Sequence, residues 1–137
     1  MVFHWVISKL GNTKKWQRRI YRFLEKSYML LPWLCQRLVD INPGMIAECT
    51  RQNGHFWQLF IAHSFSIQGV LMGCWPIFVI DSTHLSGLYK GSLFSATTYD
   101  ADDGMFPIAF GVVSYENYED WIWFFYRKWM AYLKIKW

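Results

Sequence analysis

Three strand-like runs crowd into one short span of this chain: IFVID from residue 77, continuing toward Leu85; SLFSATTYD at 92–100; and MFPIAFGVVS at 105–114. Pro76 opens the first run, Ser86, Gly87 and Gly91 bracket the first gap, and ADDG turns the chain in the second. A parallel crossover needs a dozen or more residues, usually a helix, so gaps this short dictate an antiparallel meander. After it comes ENYEDWIWFFYRKWMAYL, where Asn117 can cap a helix and Asp120, at the third position, puts negative charge where the helix dipole favours it. Trp121, Phe124, Phe125, Trp129 and Tyr132 recur at helical spacing and predict a helix lying across one sheet face. A three-stranded meander with one helix is an incomplete layer structure, because a face and the edges still need cover.

Upstream, residues 14–26 predict a basic helix with Trp16, Ile20 and Phe23 on one side. A second helix follows in SYMLLPWLCQRLVDINPG, with Pro32 in its first turn and Asn42, Pro43 and Gly44 ending it. Residues 45–55, containing Asn53 and Gly54, read as irregular or weak strand. Phe56, Leu59, Phe60, His63, Ile67 and Leu71 return to helical spacing, which Gly73 closes. This divides the chain into a helical, basic region at 1–72 and a strand-bearing region at 73–137. From Phe56 to Ile80 there are 25 residues without Asp, Glu, Lys or Arg, yet Gln58, His63, Ser64, Ser66 and Gln68 dilute the run and Gly73 and Pro76 break it. The expectation is a helix followed by a buried strand, not a membrane span.

Net charge is +4, unevenly spread. Residues 1–40 carry eight Lys or Arg against Glu25 and Asp40, and residues 41–120 carry Arg51 and Lys90 against eight acidic residues. A basic arm ahead of an acidic body suits a polyanion such as DNA, with Lys14, Lys15, Arg18, Arg19 and Arg22 the candidate contacts; a solvated helix face looks the same. Cys35, Cys49 and Cys74 have neither zinc-finger spacing nor a close pairing, so an intracellular chain is expected. An apolar stretch ahead of the first basic run is the wrong order for a secretory signal. With 9 Trp, 8 Tyr and 11 Phe in 137 residues, part of the aromatic surface calls for a covering partner.

Asp81 ends an apolar run that reads as a buried strand, and a buried carboxylate costs several kcal/mol unless paired, for example by a metal ion. Two-metal phosphodiester chemistry needs carboxylates holding ions roughly 3.5–4 Å apart, so one Asp does not suffice. If the first hairpin turns near Leu88, Asp81 lies opposite a residue near Ser95, and Asp100 is about 17 Å further along at about 3.3 Å per residue. Asp100, Asp102 and Asp103 then form a turn. The third strand returns to the level of Asp81 near Phe110, so Glu116 overshoots by roughly 20 Å on the same count, and Glu116, Glu119 and Asp120 read as helix-capping residues. His84, three residues beyond Asp81, faces the other way on a straight strand and is a candidate accessory residue. His55 and His63 read as structural, and no phosphate loop, nucleophile elbow or HExxH motif is present.

The run GCWPIFVIDSTHLSGLYKGSLFSATTYDADDGMFPIAFGVVSYENYEDWIWFF, residues 73–125, resembles the start of the catalytic domain of plant Mutator-like element (MULE) transposases. The shared pattern is an Asp followed by Thr and His, a Lys-Gly loop, a strand ending in Asp, Phe-Pro-Ile-Ala-Phe, and Glu-Asn before Trp and Phe. SYMLLPWLCQRL and FWQLFIAHSFSIQGVLMGC are similar to the helical region preceding that domain. Ser82 stands where glycine or alanine is common. The resemblance implies an α/β domain of RNase H-like fold, here its first three antiparallel strands and first helix. It also implies an Asp, Asp, Glu triad using magnesium or manganese for cut-and-paste DNA transposition in the nucleus. Asp81 matches the first catalytic and metal-binding Asp and His84 the nearby histidine; nothing aligns with the second Asp or the Glu. The expectation is a transposase fragment inactive alone and holding no metal stably, binding DNA and no membrane. The alternatives are a non-catalytic DNA-binding module, one that self-associates or pairs with a full-length transposase through a sheet edge, and the product of a decayed element.

Overall fold

The computed structural model of the chain describes residues 14–74, 77–86 and 90–136, with backbone alone at 14–17, 20–21, 23–24 and 128–136. Helices α1 (Lys14–Met29) and α2 (Leu31–Ile41) lead into strands β1 (Ile46–Gln52) and β2 (His55–Ala62). Helix α3 (Ser64–Gly73), strands β3 (Val79–Leu85), β4 (Gly91–Tyr99) and β5 (Met105–Val113), and helix α4 (Tyr118–Lys136) follow. All strands join one antiparallel sheet in the order β1-β2-β5-β4-β3, so the fold is α+β.

The meander has the expected register: Asp81 pairs with Ser95, and Ser95 with Phe110. Its second turn is built by Asp100, whose Oδ1 accepts from the amides of Asp102 at 3.0 Å and Gly104 at 2.7 Å. Asp103 takes a positive φ of 60° there. These aspartates are turn chemistry, as the sequence implied.

The region upstream differs from the helical reading. Residues 55–62 are strand, and only 64–73 are helix. Asn53 and Gly54, with φ of 52° and 78°, form the two-residue turn that right-handed strand twist favours, and β1 folds back on β2 around it. Phe60 and Ala62 then face the core at a period of two, while Phe56, Leu59, Phe60 and His63 imitate helical spacing. Because β2 pairs with β5 from Gln58↔Val113 to Ile61↔Phe110, the sheet crosses the boundary expected at residue 72. At α2, Pro32 occupies the first turn and the Asn42 amide and side chain both donate to the Leu38 carbonyl, ending the helix as expected.

The core sits between the sheet and helices α3 and α4. Glu48, Phe60, Gly111, Phe94 and Ser82 form one row across all five strands. Phe124 of α4 lies over Gly111, with its ring centroid 5.7 Å from Phe60 and 5.6 Å from Phe94. Trp121 stacks on Phe94 at 4.5 Å and 24°. Of the aromatic set expected on the sheet, Phe125 instead faces outward and the side chains of Trp129 and Tyr132 are outside the described residues, while Trp123, not among the expected residues, meets Phe60 edge-on. At the β1 end of the row, Arg127 of α4 forms an ion pair with Glu48.

β3 corrects the buried-strand reading. Among the described residues it bonds to β4 alone, so Val79 is 44% exposed, Ile77 and Phe78 are also exposed, and Asp81 stands in mid-strand facing water. Ile80 alone of that apolar run packs on the core. Among the described residues no helix is long and apolar enough to cross a membrane.

A Cβ at position 111 would sit 2.6 Å from the Phe124 ring and 3.5 Å from the Leu59 carbonyl. Gly111→Ala is expected to destabilise the chain by about 1–3 kcal/mol in urea titration; an unchanged midpoint contradicts this seating of α4.

Candidate functional site

The outer sheet edge brings together residues from β3, β4 and the segment between β5 and α4. Strand alternation puts Ser82 and His84 on the α4 side of β3 and Asp81 on the opposite side. The Asp81 Oδ1 accepts from the amide of Ser82 at 2.9 Å, and the carboxylate otherwise faces solvent. It therefore lacks the desolvation that a buried setting imposes.

On the other face the centre of the cluster is Glu116. Ser82 Oγ donates to its Oε1 at 2.9 Å and Ser92 Oγ to its Oε2 at 3.4 Å. His84 Nε2 lies 3.6 Å from the same Oε2, and His84 Nδ1 lies 3.2 Å from Ser92 Oγ. His84 has an 83% exposed side chain, so its ion pair with Glu116, formed when the ring is protonated, contributes little in water. The hydroxyl bonds position Glu116 and fasten the edge strand to the α4 lead-in.

This arrangement overturns the expectation that Glu116 lies far beyond Asp81. Counting residues along β5 assumes a straight continuation, but β5 ends at Val113, level with Ser92 and hence with His84. The Ser114 amide and hydroxyl donate to the Trp57 carbonyl, both at 3.1 Å, and the hydroxyl also to that of Phe56, so the chain turns across the sheet end. Ser82 and His84, spaced two apart on one strand, were the available signal; the path of residues 114–116 had none.

Asn117 caps α4 as expected, its Oδ1 accepting from the Asp120 amide at 2.8 Å. The Asp120 side chain is 2% exposed and points into the protein, where Gln58 Nε2 donates to it at 2.6 Å and Thr50 Oγ1 donates to Gln58 at 3.2 Å. Burial pushes its carboxyl above the ordinary value, with Glu119's charge adding, while the bonds from Gln58 and Asn117 oppose. Lys14 and Lys15 stand in the first turn of α1 with side chains outside the described residues; Arg18, Arg19 and Arg22 are exposed further along it.

Magnesium or manganese asks for several hard oxygen ligands. Among the described residues no three His, Cys, Asp or Glu side chains gather around a common point. Asp81 alone is not a cage, and the ion does not fit these residues by themselves.

Comparison with protein families decides what this edge is similar to. Residues 77–136 match the MULE transposase domain. The resemblance to Mutator-like transposases is thus shown for that segment, which starts two residues before β3 and takes in β3, β4, β5 and α4. The MULE match holds Asp81, His84, Ser92 and Glu116, while α1, α2 and the β1–β2 hairpin precede it. No curated protein and no solved structure matches the chain.

The raised Asp120 value gives a signed prediction. Below the ordinary 3.8 the carboxyl is protonated whether folded or unfolded. As pH rises from there through the raised folded value, ionisation favours the unfolded chain and stability is lost. Asp120→Asn keeps an acceptor for Gln58 and is expected to lack that loss in urea titrations across acidic pH; the same pH dependence in both proteins contradicts it.

Proposed function

We propose that this chain is a transposase-related, DNA-binding unit that presents one carboxylate of a metal-dependent phosphodiester site and does not cut DNA by itself. The observation carrying this reading is the MULE match starting just before the strand that exposes Asp81. In an RNase H-like Asp, Asp, Glu site performing cut-and-paste transposition, Asp81 is the first metal ligand, and further carboxylates complete the clamp for magnesium or manganese. On this reading Asp81 is one ligand, and with no cluster of three His, Cys, Asp or Glu among the described residues the chain lacks the charge stabilisation that drives phosphoryl transfer. Glu116, held by the Ser82 and Ser92 hydroxyls, fixes the edge strand beside the site, and His84 stands next to it as the accessory histidine. Lys14, Lys15, Arg18, Arg19 and Arg22 supply phosphate contacts, and the nucleus is where such a protein meets its DNA.

The one-sided bonding of β3 favours a second, compatible role: pairing with another transposase chain through that edge.

The test is a plasmid nicking assay with magnesium and with manganese, alongside duplex binding at several salt concentrations. The 137 residues are expected to bind duplex DNA without nicking it. Glutamine at Lys14, Lys15, Arg18, Arg19 and Arg22 together is expected to lower affinity and flatten the salt dependence by about 0.9 for each phosphate no longer neutralised. Nicking that disappears in Asp81→Asn contradicts the inactivity. Binding indifferent to the five substitutions contradicts the assignment to α1.

A further inference from the structure

A cleft of about 840 Å³ opens at the end of the sheet, between the last turns of α1, the β1–β2 turn and the start of β4. Tyr28, Phe56, Trp57 and Tyr115 form its aromatic lining, and Arg51 and Lys90 bring positive charge to it. Tyr28 and Phe56 rest on each other at 4.9 Å, and Trp57 meets Tyr115 at 6.3 Å and 57°. The back of the cleft is thereby fixed by ring packing. Tyr115 is 65% exposed, which leaves ring surface available to a ligand.

The cleft also has a charged approach. On α1, Glu25 and Met29 line the cleft, and Arg18 and Arg22 precede them on the same helix face, since positions 18, 22, 25 and 29 follow one another at helical spacing. Arg51 Nη2 donates to the Met29 carbonyl at 2.8 Å, holding the end of α1 against the hairpin. Glu25 is the one carboxylate in the lining; Arg51 and Lys90 outweigh it, and the arginines of α1 extend the positive strip.

Aromatic surface inside a cationic rim is the chemistry of single-stranded nucleic acid, whose bases stack while the backbone follows the positive charge. The volume lies in the range of about 300–1,000 Å³ typical of ligand sites, and a base held in a duplex has no free face to offer Tyr115. We infer that this cleft binds an unpaired base of single-stranded DNA, stacked on Tyr115 with its phosphate near Lys90. Choosing DNA as the polymer rests on the transposase-related reading above. The cleft does not include Asp81; it joins α1 and the β1–β2 hairpin, which precede the MULE match, to Lys90, the ends of β3–β5 and Tyr115, which lie within it.

Fluorescence anisotropy with labelled oligo(dT), oligo(U) and a duplex tests this on the full chain. Oligo(dT) is expected to lose about tenfold or more in affinity with Tyr115→Ala, to keep it with Tyr115→Phe, and to lose about 0.7 of salt slope with Lys90→Gln, while duplex affinity is unchanged by Tyr115→Ala. Oligo(dT) binding unaffected by Tyr115→Ala overturns the inference and leaves duplex binding by α1 standing. Tighter binding of oligo(U) than oligo(dT) also overturns it. Failure to bind any of the three DNA or RNA probes removes both this inference and the DNA-binding reading on which it rests.

Discussion

The seating of Phe124 over Gly111 determines most of what surrounds it. Gly111 is the one position in its cross-sheet row without a side chain, flanked by Phe60 on β2 and Phe94 on β4. That gap admits the Phe124 ring, and the ring holds three strands to α4 at once. Both ends of the row are tied to α4 or its lead-in as well, Glu48 through Arg127 and Ser82 through Glu116. The helix is therefore clamped at a buried centre and two polar ends. Apolar burial supplies most of the energy, and the ends fix direction.

The geometry of the candidate site follows from that placement. With α4 fixed, its cap at Asn117 and the preceding Glu116 are brought against β3 and β4, and Asp81 is left on the opposite side of the edge strand. The carboxylate at the start of the MULE match is thus displayed on a strand that, among the described residues, bonds to one neighbour only. A carboxylate in water needs no compensating partner, which answers the puzzle of an aspartate after an apolar run: the run is an edge, with Ile80 its one residue packed on the core.

Much of the fold was legible where local chemistry and strand counting agree. Short gaps with turn residues pointed to β3–β5, and counting put Asp81 opposite a residue near Ser95 and level with the neighbourhood of Phe110, which the register makes Ser95 and Phe110 themselves. The β1–β2 hairpin was missed because the apolar residues of 56–63 fit a helical period, although Asn53–Gly54 was a strong turn signal. The exposure of Ile77–Val79 was illegible, since an apolar run does not say how many neighbours its strand has. At the candidate site, Asp81 and His84 stood out by residue type, but Ser82, Ser92 and Glu116 meet through a bend fixed by hydrogen bonds to residues nearly sixty positions earlier. The aromatic cleft likewise draws on α1, the hairpin and the β5–α4 segment, which no local pattern connects.

The central claim is that the hairpin preceding the MULE match and the matched segment share one core, organised by Phe124. Native-state hydrogen exchange measures this directly, because segments that open together exchange with one free energy. Protected amides of β2, β5 and β4 around the Phe60–Gly111–Phe94 row are expected to share the global opening free energy and to lose protection together when Phe124 is truncated to alanine. Exchange of β2 at a much lower free energy than β4 and β5, unchanged by that truncation, would contradict it.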